Sequence, residues 1–254
     1  MAILKVLGAD GGIAKGRRTS CFLLDDDILI DAGTGLGDLD PDDMAKIDHI
    51  FLTHVHMDHI ACLPLMLDTV VALRKTPVTI YVPGTDDKSL MDHIFNDVIW
   101  PDFTRIPTVE NPAAKIVPLS DEHYVIGGRR IGTVPVDHHV QSVGFWIEEN
   151  NGKLVLTGDT GPCPDLWKAI NDLDDVRYIL VECSFINELE SLALLTGHLT
   201  PKLLRKEVSN LNTNREIFAT HVKPVGRSAV IEELNQMLEM KQIDVVELGQ
   251  KFII

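Results

Sequence analysis

No stretch of this sequence is apolar for long enough to span a membrane, and the run Met1-Ala2-Ile3-Leu4-Lys5-Val6-Leu7 meets Gly8 and Asp10 too early for a signal peptide. A soluble, cytoplasmic protein is the expectation. Basic residues are scarce: 23 Lys and Arg stand against 38 Asp and Glu, a net charge of −15, with no basic block or stripe. Such a field repels a large polyanion such as RNA or DNA. Cysteine is sparse too. Cys21, Cys62, Cys163 and Cys183 lie far apart without a C-x-x-C pair, which excludes a zinc ribbon and a disulfide framework and leaves buried, reduced thiols as the expectation. No serine-rich, proline-rich or low-complexity linker divides the 254 residues, of which 45% are hydrophobic, enough for a proper core.

What the chain does contain is His54-Val-His56-Met-Asp58-His59, three imidazoles and a carboxylate within six residues. It reads as half of a two-metal hydrolytic centre. Neutral imidazole and carboxylate suit divalent ions such as zinc or manganese. His54 and His56 are two apart and point the same way on an extended chain, so they can grip one ion. Asp58 and His59 are adjacent and diverge, which suits a second ion beside the first. The blander reading is a polar loop in which Asp58 only caps a helix.

The periodicity places this cluster at the end of a strand. Ile3–Leu7, Ser20–Leu24 and Ile28–Asp31 read as strands, with Asp26-Asp27 as a hairpin turn. Ile47–Thr53 is a continuous apolar strand that delivers the histidines, Ile60–Lys75 a helix and Val78–Val82 a strand. The second half continues with strands Ile131–Asp137, Gly144–Glu148 and Lys153–Thr157, the last two joined at Asn150-Asn151-Gly152. A helix over Asp165–Asp172, a buried strand Arg177–Val181 and a helix Pro201–Ser209 capped by Thr200 follow. Ile217–Thr220 is then a strand and Arg227–Met240 a helix. Two mixed β halves, each faced by helices, predict an α/β four-layer sandwich, with sites at strand C-termini.

Further donors stand at the strand ends of the second half: His138-His139, then Gly158-Asp159-Thr160-Gly161, then His221. Singly, each has an ordinary explanation as an edge residue, a turn former or a loop histidine. Together they supply the two imidazoles and one carboxylate that a second coordination set needs. Two divalent ions carry four positive charges, and two aspartates cancel half of them, so a small anion is attracted where a polyanion is not. The Gly8–Gly16 segment lacks the following helix of a phosphate-cradling loop.

The motif H-x-H-x-D-H, the later G-D-T-G and the histidine of Ala219-Thr220-His221 resemble, in that order, the metallo-β-lactamase superfamily. The resemblance implies one αββα domain over residues 1–254, with β-rich halves of roughly 1–125 and 126–254. It assigns His54, His56 and His138 to the first metal, Asp58, His59 and His221 to the second, and Asp159 to a bridge. His139 stays open in place of His138, although Val134, Val136 and His138 share one face of an alternating strand. The metals implied are two divalent ions, zinc first, with manganese or iron acceptable to the same donors.

Within the superfamily, 92–101 (Asp92 to Pro101), Glu182-Cys183-Ser184-Phe185, Gly197-His198-Leu199-Thr200-Pro201 and His221-Val222-Lys223-Pro224 are similar to the class II cyclic-nucleotide phosphodiesterases. That likeness implies hydrolysis of 3′,5′-cyclic nucleotides, cyclic AMP or GMP, to 5′-nucleotides by a hydroxide that the two ions activate, as well as a homodimer. Asp58, Glu182 and His198 are the expected catalytic residues, His198 as a general acid beside Glu182 rather than merely the polar start of a helix. Phe95, Trp100 and Phe103 either stack on a purine or belong to the core. A nuclease similar to the tRNA 3′-processing endonuclease is the nearest rival, but no basic gripping element stands between Asp68 and His123. Thioester or lactam hydrolysis, or a metal-binding module without catalysis, are further alternatives.

Overall fold

Alternation of apolar residues sets up two sheets that each bury both faces. In the computed structural model, which describes all residues except 121, 122, 151, 213, 214 and 237–241, the first sheet begins with Ile3–Gly8 (β1), Cys21–Leu24 (β2), Ile28–Ile30 (β3), His49–Phe51 (β4), Val78–Val82 (β5) and Ala114–Pro118 (β6). Tyr124–Ile126 (β7), Arg129–Pro135 (β8), Val143–Glu149 (β9), Gly152–Leu156 (β10), Val176–Glu182 (β11), Glu216–Thr220 (β12) and Ile243–Val245 (β13) make the second. The last strand, Lys251–Ile253 (β14), crosses back to the first sheet and pairs antiparallel with β1, Ile3 opposite Ile253. The spatial orders are β14-β1-β2-β3-β4-β5-β6 and β13-β12-β11-β10-β9-β8-β7.

The period-two pattern divides each strand between two cores. Phe22, Leu24, Ile28, Ile30, Phe51 and Tyr81 of the first sheet meet Ile131, Phe145, Ile147, Leu154, Leu156 and Leu180 of the second in a central layer. Their neighbours Leu23, Leu29, Ile50 and Ile80 face outward, under the helices Pro41–Met44 (α1), Leu63–Val70 (α3) and Asp86–His93 (α4), with the short Met57–Ile60 (α2) just before α3. On the far side, Val155, Ile179, Val181 and Ile217 pack under Pro164–Asp172 (α5), Pro201–Val208 (α7) and Arg227–Asn235 (α8). Glu190–Leu195 (α6) precedes α7. The architecture is the four-layer αββα sandwich.

The strands and helices agree with the sequence pattern to within a few residues, with instructive exceptions. The helix expected over Ile60–Lys75 is split into α2 and α3, because Pro64 sits in the first turn of α3, where its missing N–H is harmless, and not inside a continuous helix. Val70 closes α3 short of Lys75. The helix from Arg227 ends at Asn235, and the expected extension to Met240 lies outside the described residues, as does Asn151 of the hairpin turn. Strands β6, β7, β13 and β14 are three to five residues long, too short to display a period. Thr200 caps α7 as expected, accepting from Leu203 N. All four cysteines are free thiols, but Cys62, just before α3, is only half-buried.

Phe95 and Phe103 are buried in the first outer core, and Trp100 packs against it while donating Nε1–H to the Pro64 carbonyl at 3.0 Å. They are core residues, not a purine-stacking platform. Among the described residues, no helix is long and apolar enough to cross a membrane.

Phe51 is fully buried where the sheets meet, stacked on Tyr81 at 4.2 Å and edge-on to Phe145 at 5.8 Å. Phe51→Ala is expected to destabilise the fold by about 3–5 kcal/mol, read as a lowered midpoint in chemical denaturation.

Candidate metal centre

The parallel run β10-β11-β12, with β8 in the same direction through two antiparallel pairings, brings several strand C-termini to one edge. His138 follows β8, Asp159 follows β10, Glu182 ends β11 and His221 follows β12. The end of β4 contributes the rest: the chain leaves at Phe51, and His56 occupies the extended position before α2, which carries Asp58 and His59. Two backbone conformations are strained into the left-handed region to achieve this, Gly158 at φ 62° beside Asp159 and His221 itself at φ 55°. A Cβ at Gly158 would lie 2.9 Å from the Thr53 side chain, so both conformation and space call for glycine there.

The donor atoms fall into sets around Asp159. His54, His56, His138 and Asp159 each bring one donor atom within 4.8 Å of the others, and Asp58, His59 and His221 do the same. Asp159 Oδ2 lies 3.7 Å from His54 Nε2 and 3.9 Å from His138 Nε2. Its other oxygen, Oδ1, lies 3.4 Å from His59 Nε2 and 3.3 Å from His221 Nε2. His56 Nδ1 is 3.1 Å from His54 Nε2 and 3.2 Å from His138 Nε2, and His221 Nε2 is 3.1 Å from Asp58 Oδ2. Ligands of a tetrahedral zinc with bonds of about 2.0–2.1 Å stand about 3.4 Å apart, and these separations are of that size. His139 takes no part: its Nε2 faces the Leu195 carbonyl at 2.6 Å, while His138 turns into the cluster.

Hydrogen-bond arithmetic shows which ring nitrogens carry protons. His59 Nδ1–H donates to Asp31 Oδ2 at 2.6 Å, and His138 Nδ1–H to the Gly197 carbonyl at 3.0 Å. The Thr53 hydroxyl lies 3.0 Å from Asp31, to which it can only donate, and so accepts from His54 Nδ1–H at 3.0 Å. His198 Nδ1–H donates to Glu182 Oε1 at 2.7 Å. Each of these rings therefore turns its Nε2 away from its acceptor, and at His54 and His138, which burial keeps neutral, that Nε2 is unprotonated. His59 Nε2 and Asp159 Oδ1, both buried, have no hydrogen-bond partner although 3.4 Å apart. Buried polar atoms this close with no hydrogen bond between them leave a gap that a cation fills, so the donor set fits divalent metal.

Electrostatics divide the rings into two groups, neutral and charge-favouring. Burial pushes His54 far below the ordinary imidazole range, assisted by neighbouring His59, and burial likewise lowers His56 and His138. These rings stay neutral and available as ligands. Burial alone would lower His59, but the carboxylates of Asp31 and Asp159 outweigh it and raise it well above its usual value. Burial would raise Asp159 and Asp58, but their histidine neighbours, led by His221, hold both below the usual carboxylate range. His198 is raised because Glu182 outweighs the effect of burial.

Glu182 is completely buried and accepts from Thr160 N, Ser184 N, Leu199 N, Ser184 Oγ and His198 Nδ1. His198 also belongs to a third set of donors with Asp159 and His221. The pairing of Glu182 with His198 is thus present. The sequence pattern did not single out Asp31, Thr53 or the Gly197 carbonyl. For Asp31 there was a faint signal, an acid closing a short apolar strand, but its contact with His59 depends on β3 pairing beside β4, where Asp31 N donates to Phe51 O.

A family model described as "Beta-lactamase superfamily domain" matches residues 26–222, more than half of the chain. The chain belongs to the metallo-β-lactamase superfamily. Among its relatives, the "Probable 3',5'-cyclic-nucleotide phosphodiesterase" of Yersinia pestis is 24% identical over 92% of this chain and 83% of its own length. A Ribonuclease Z of Mycobacterium bovis is 26% identical over 57% of this chain and 55% of its own length. The crystal structure of unliganded yeast PDE1 superposes with a TM-score of 0.84 over 100% of this chain and 99% of that one, at 20% identity. This superfamily fold implies divalent metal ions.

Asp31 is fully buried and accepts from Ser20 Oγ, Thr53 N, Thr53 Oγ1 and His59 Nδ1. Removing one partner of a buried charged pair costs about 3–5 kcal/mol. Asp31→Ala should therefore lower the unfolding free energy of the metal-free protein by that amount in a urea titration.

Proposed function

We propose that this protein is a dinuclear metal-dependent phosphodiesterase that opens 3′,5′-cyclic nucleotides, cyclic AMP or GMP, to 5′-nucleotides, with residues 1–254 acting as one domain. The observation that carries this reading is the pair of donor sets divided by Asp159, one facing each of its oxygens. His54, His56 and His138 would hold one ion, Asp58, His59 and His221 the other, and Asp159 would be shared. Imidazole and carboxylate donors without thiolate favour zinc, and accept manganese or iron.

When bound, the ions lower the pKa of water and draw charge from the phosphoryl oxygens. The side chains divide the remaining work. Asp58, with 31% of its side chain exposed, is the more open of the two carboxylates and orients the attacking water. His198, protonated on both nitrogens, gives its second proton to the departing ribose O3′, while Glu182 holds Nδ1–H and stabilises the charged ring. No covalent intermediate is required.

A small substrate is favoured by the charge of −15 and by the absence of a basic gripping element among the described residues between Asp68 and His123. The similarity to the Yersinia pestis relative over most of both chains supports the same choice. The second reading, a ribonuclease Z-like nuclease, draws on the Mycobacterium bovis relative, whose match covers little more than half of this chain.

Purified protein incubated with cyclic AMP, cyclic GMP and a precursor tRNA separates the two: turnover of a cyclic nucleotide without tRNA cleavage is expected, and tRNA cleavage alone would reverse the assignment. His56→Ala and Asp159→Ala should each abolish turnover with the circular dichroism spectrum retained. His198→Ala should lower kcat about 100-fold or more with both ions still present by elemental analysis; loss of an ion would make His198 a ligand instead.

A further inference from the structure

Ser184 stands two residues past Glu182, almost fully buried, with its hydroxyl between three groups. Oγ is 2.9 Å from Glu182 Oε2, 3.0 Å from His221 Nδ1 and 3.3 Å from His198 Nδ1. A serine hydroxyl has a single hydrogen and two lone pairs. Glu182 Oε2 can only accept, so the hydrogen goes there, and Oγ is left as an acceptor. The proton of His198 Nδ1 is already committed to Glu182 Oε1 at 2.7 Å. What remains for Ser184 to accept is Nδ1–H of His221.

The surroundings of His221 leave its ring little choice. Its backbone is held in the left-handed region, with N donating to the Ala9 carbonyl at 2.7 Å. On one side Gly11 lies so close that a Cβ there would sit 2.8 Å from Nδ1 and 2.4 Å from the His221 carbonyl. On another, the ring stacks against His198 at 5.4 Å and 19°. The hydroxyl of Ser184 is the acceptor that completes this enclosure.

We infer that Ser184 is a positioning residue that sets the tautomer and orientation of His221, and through Glu182 ties that ring to His198. One buried carboxylate then orients both a candidate metal ligand and the candidate acid, the first by way of a hydroxyl. The inference rests on the proposal that His221 holds an ion. A merely structural serine would serve Glu182 alone, yet Glu182 Oε2 also accepts from Ser184 N at 3.1 Å and Leu199 N at 3.2 Å, neither of which needs the hydroxyl. What Ser184→Ala removes without replacement is the acceptor behind His221.

Zinc titration of the full chain by equilibrium dialysis tests this. Native protein should take up two ions; Ser184→Ala should bind the first as native does and the second about 10–100-fold more weakly, the size expected when a group orienting a metal-bound histidine is lost. Histidine-labelled, zinc-loaded native protein should show His221 protonated at Nδ1 by nitrogen NMR with a slowly exchanging proton, and the variant, at equal zinc occupancy, a faster-exchanging one. Two ions bound equally well by native and variant would overturn the inference and leave the metal reading standing. No zinc uptake by native protein would overturn both. His221 protonated at Nε2 in the zinc-loaded native protein would overturn the inference without reference to any variant.

Discussion

The centre depends on where a few protons are kept. An imidazole offers a lone pair inward only if its other nitrogen is occupied, and here Asp31, the Thr53 hydroxyl, the Gly197 carbonyl and Glu182 hold the Nδ1 protons of His59, His54, His138 and His198. Those acceptors are themselves anchored: Asp31 by backbone and hydroxyl donors, Glu182 by three backbone N–H groups. The outcome is a concentration of Nε2 atoms and carboxylate oxygens aimed at one another in a buried space, an arrangement that a cation between them compensates. Packing, strand direction and the left-handed turns at Gly158 and His221 all serve to hold these acceptors in place.

How legible this was from residues alone varied with how local each feature is. The run His54 to His59 is contiguous, so its chemistry is visible before any fold is known. Asp159 and His221 are single residues at strand ends, and only their order along the chain, matched to a family pattern, connects them. The ambiguity between His138 and His139 is one of register: neighbouring residues point apart, and the structure turns His138 inward and His139 toward Leu195. Asp31 and Thr53 follow different strands whose parallel pairing brings them together, and beyond the faint signal of an acid closing a short apolar strand neither local sequence announces the contact. The periodicity from Ile60 to Lys75 read as one helix and hid the break before Leu63 that Pro64 marks, and the three-residue strands near the C-terminus carry too few residues for alternation to be detected.

The strong negative charge of the chain and the positive charge that bound ions would bring to its centre are complementary. Acidic residues on the surface discourage long polyanions, while two divalent ions in the centre, half balanced by Asp58 and Asp159, would accommodate a compact anion at close range. Selectivity for small phosphodiesters would then arise from the distance over which each field acts: the surface charge is screened within about 8–10 Å at ordinary salt, whereas the buried centre is screened far less.

The donors come from both sheets: His54, His56, Asp58 and His59 from the first, His138, Asp159 and His221 from the second. An ion held between groups of opposite sheets acts as a rivet across the seam of the sandwich, which is otherwise closed by aromatic and aliphatic packing around Phe51 and Phe145. Because the unfolded chain has no such pocket, occupancy would add to folding free energy by mass action, about 2.7 kcal/mol when free metal exceeds its dissociation constant a hundredfold. The resistance of this fold to heat thus becomes a function of the supply of metal around it.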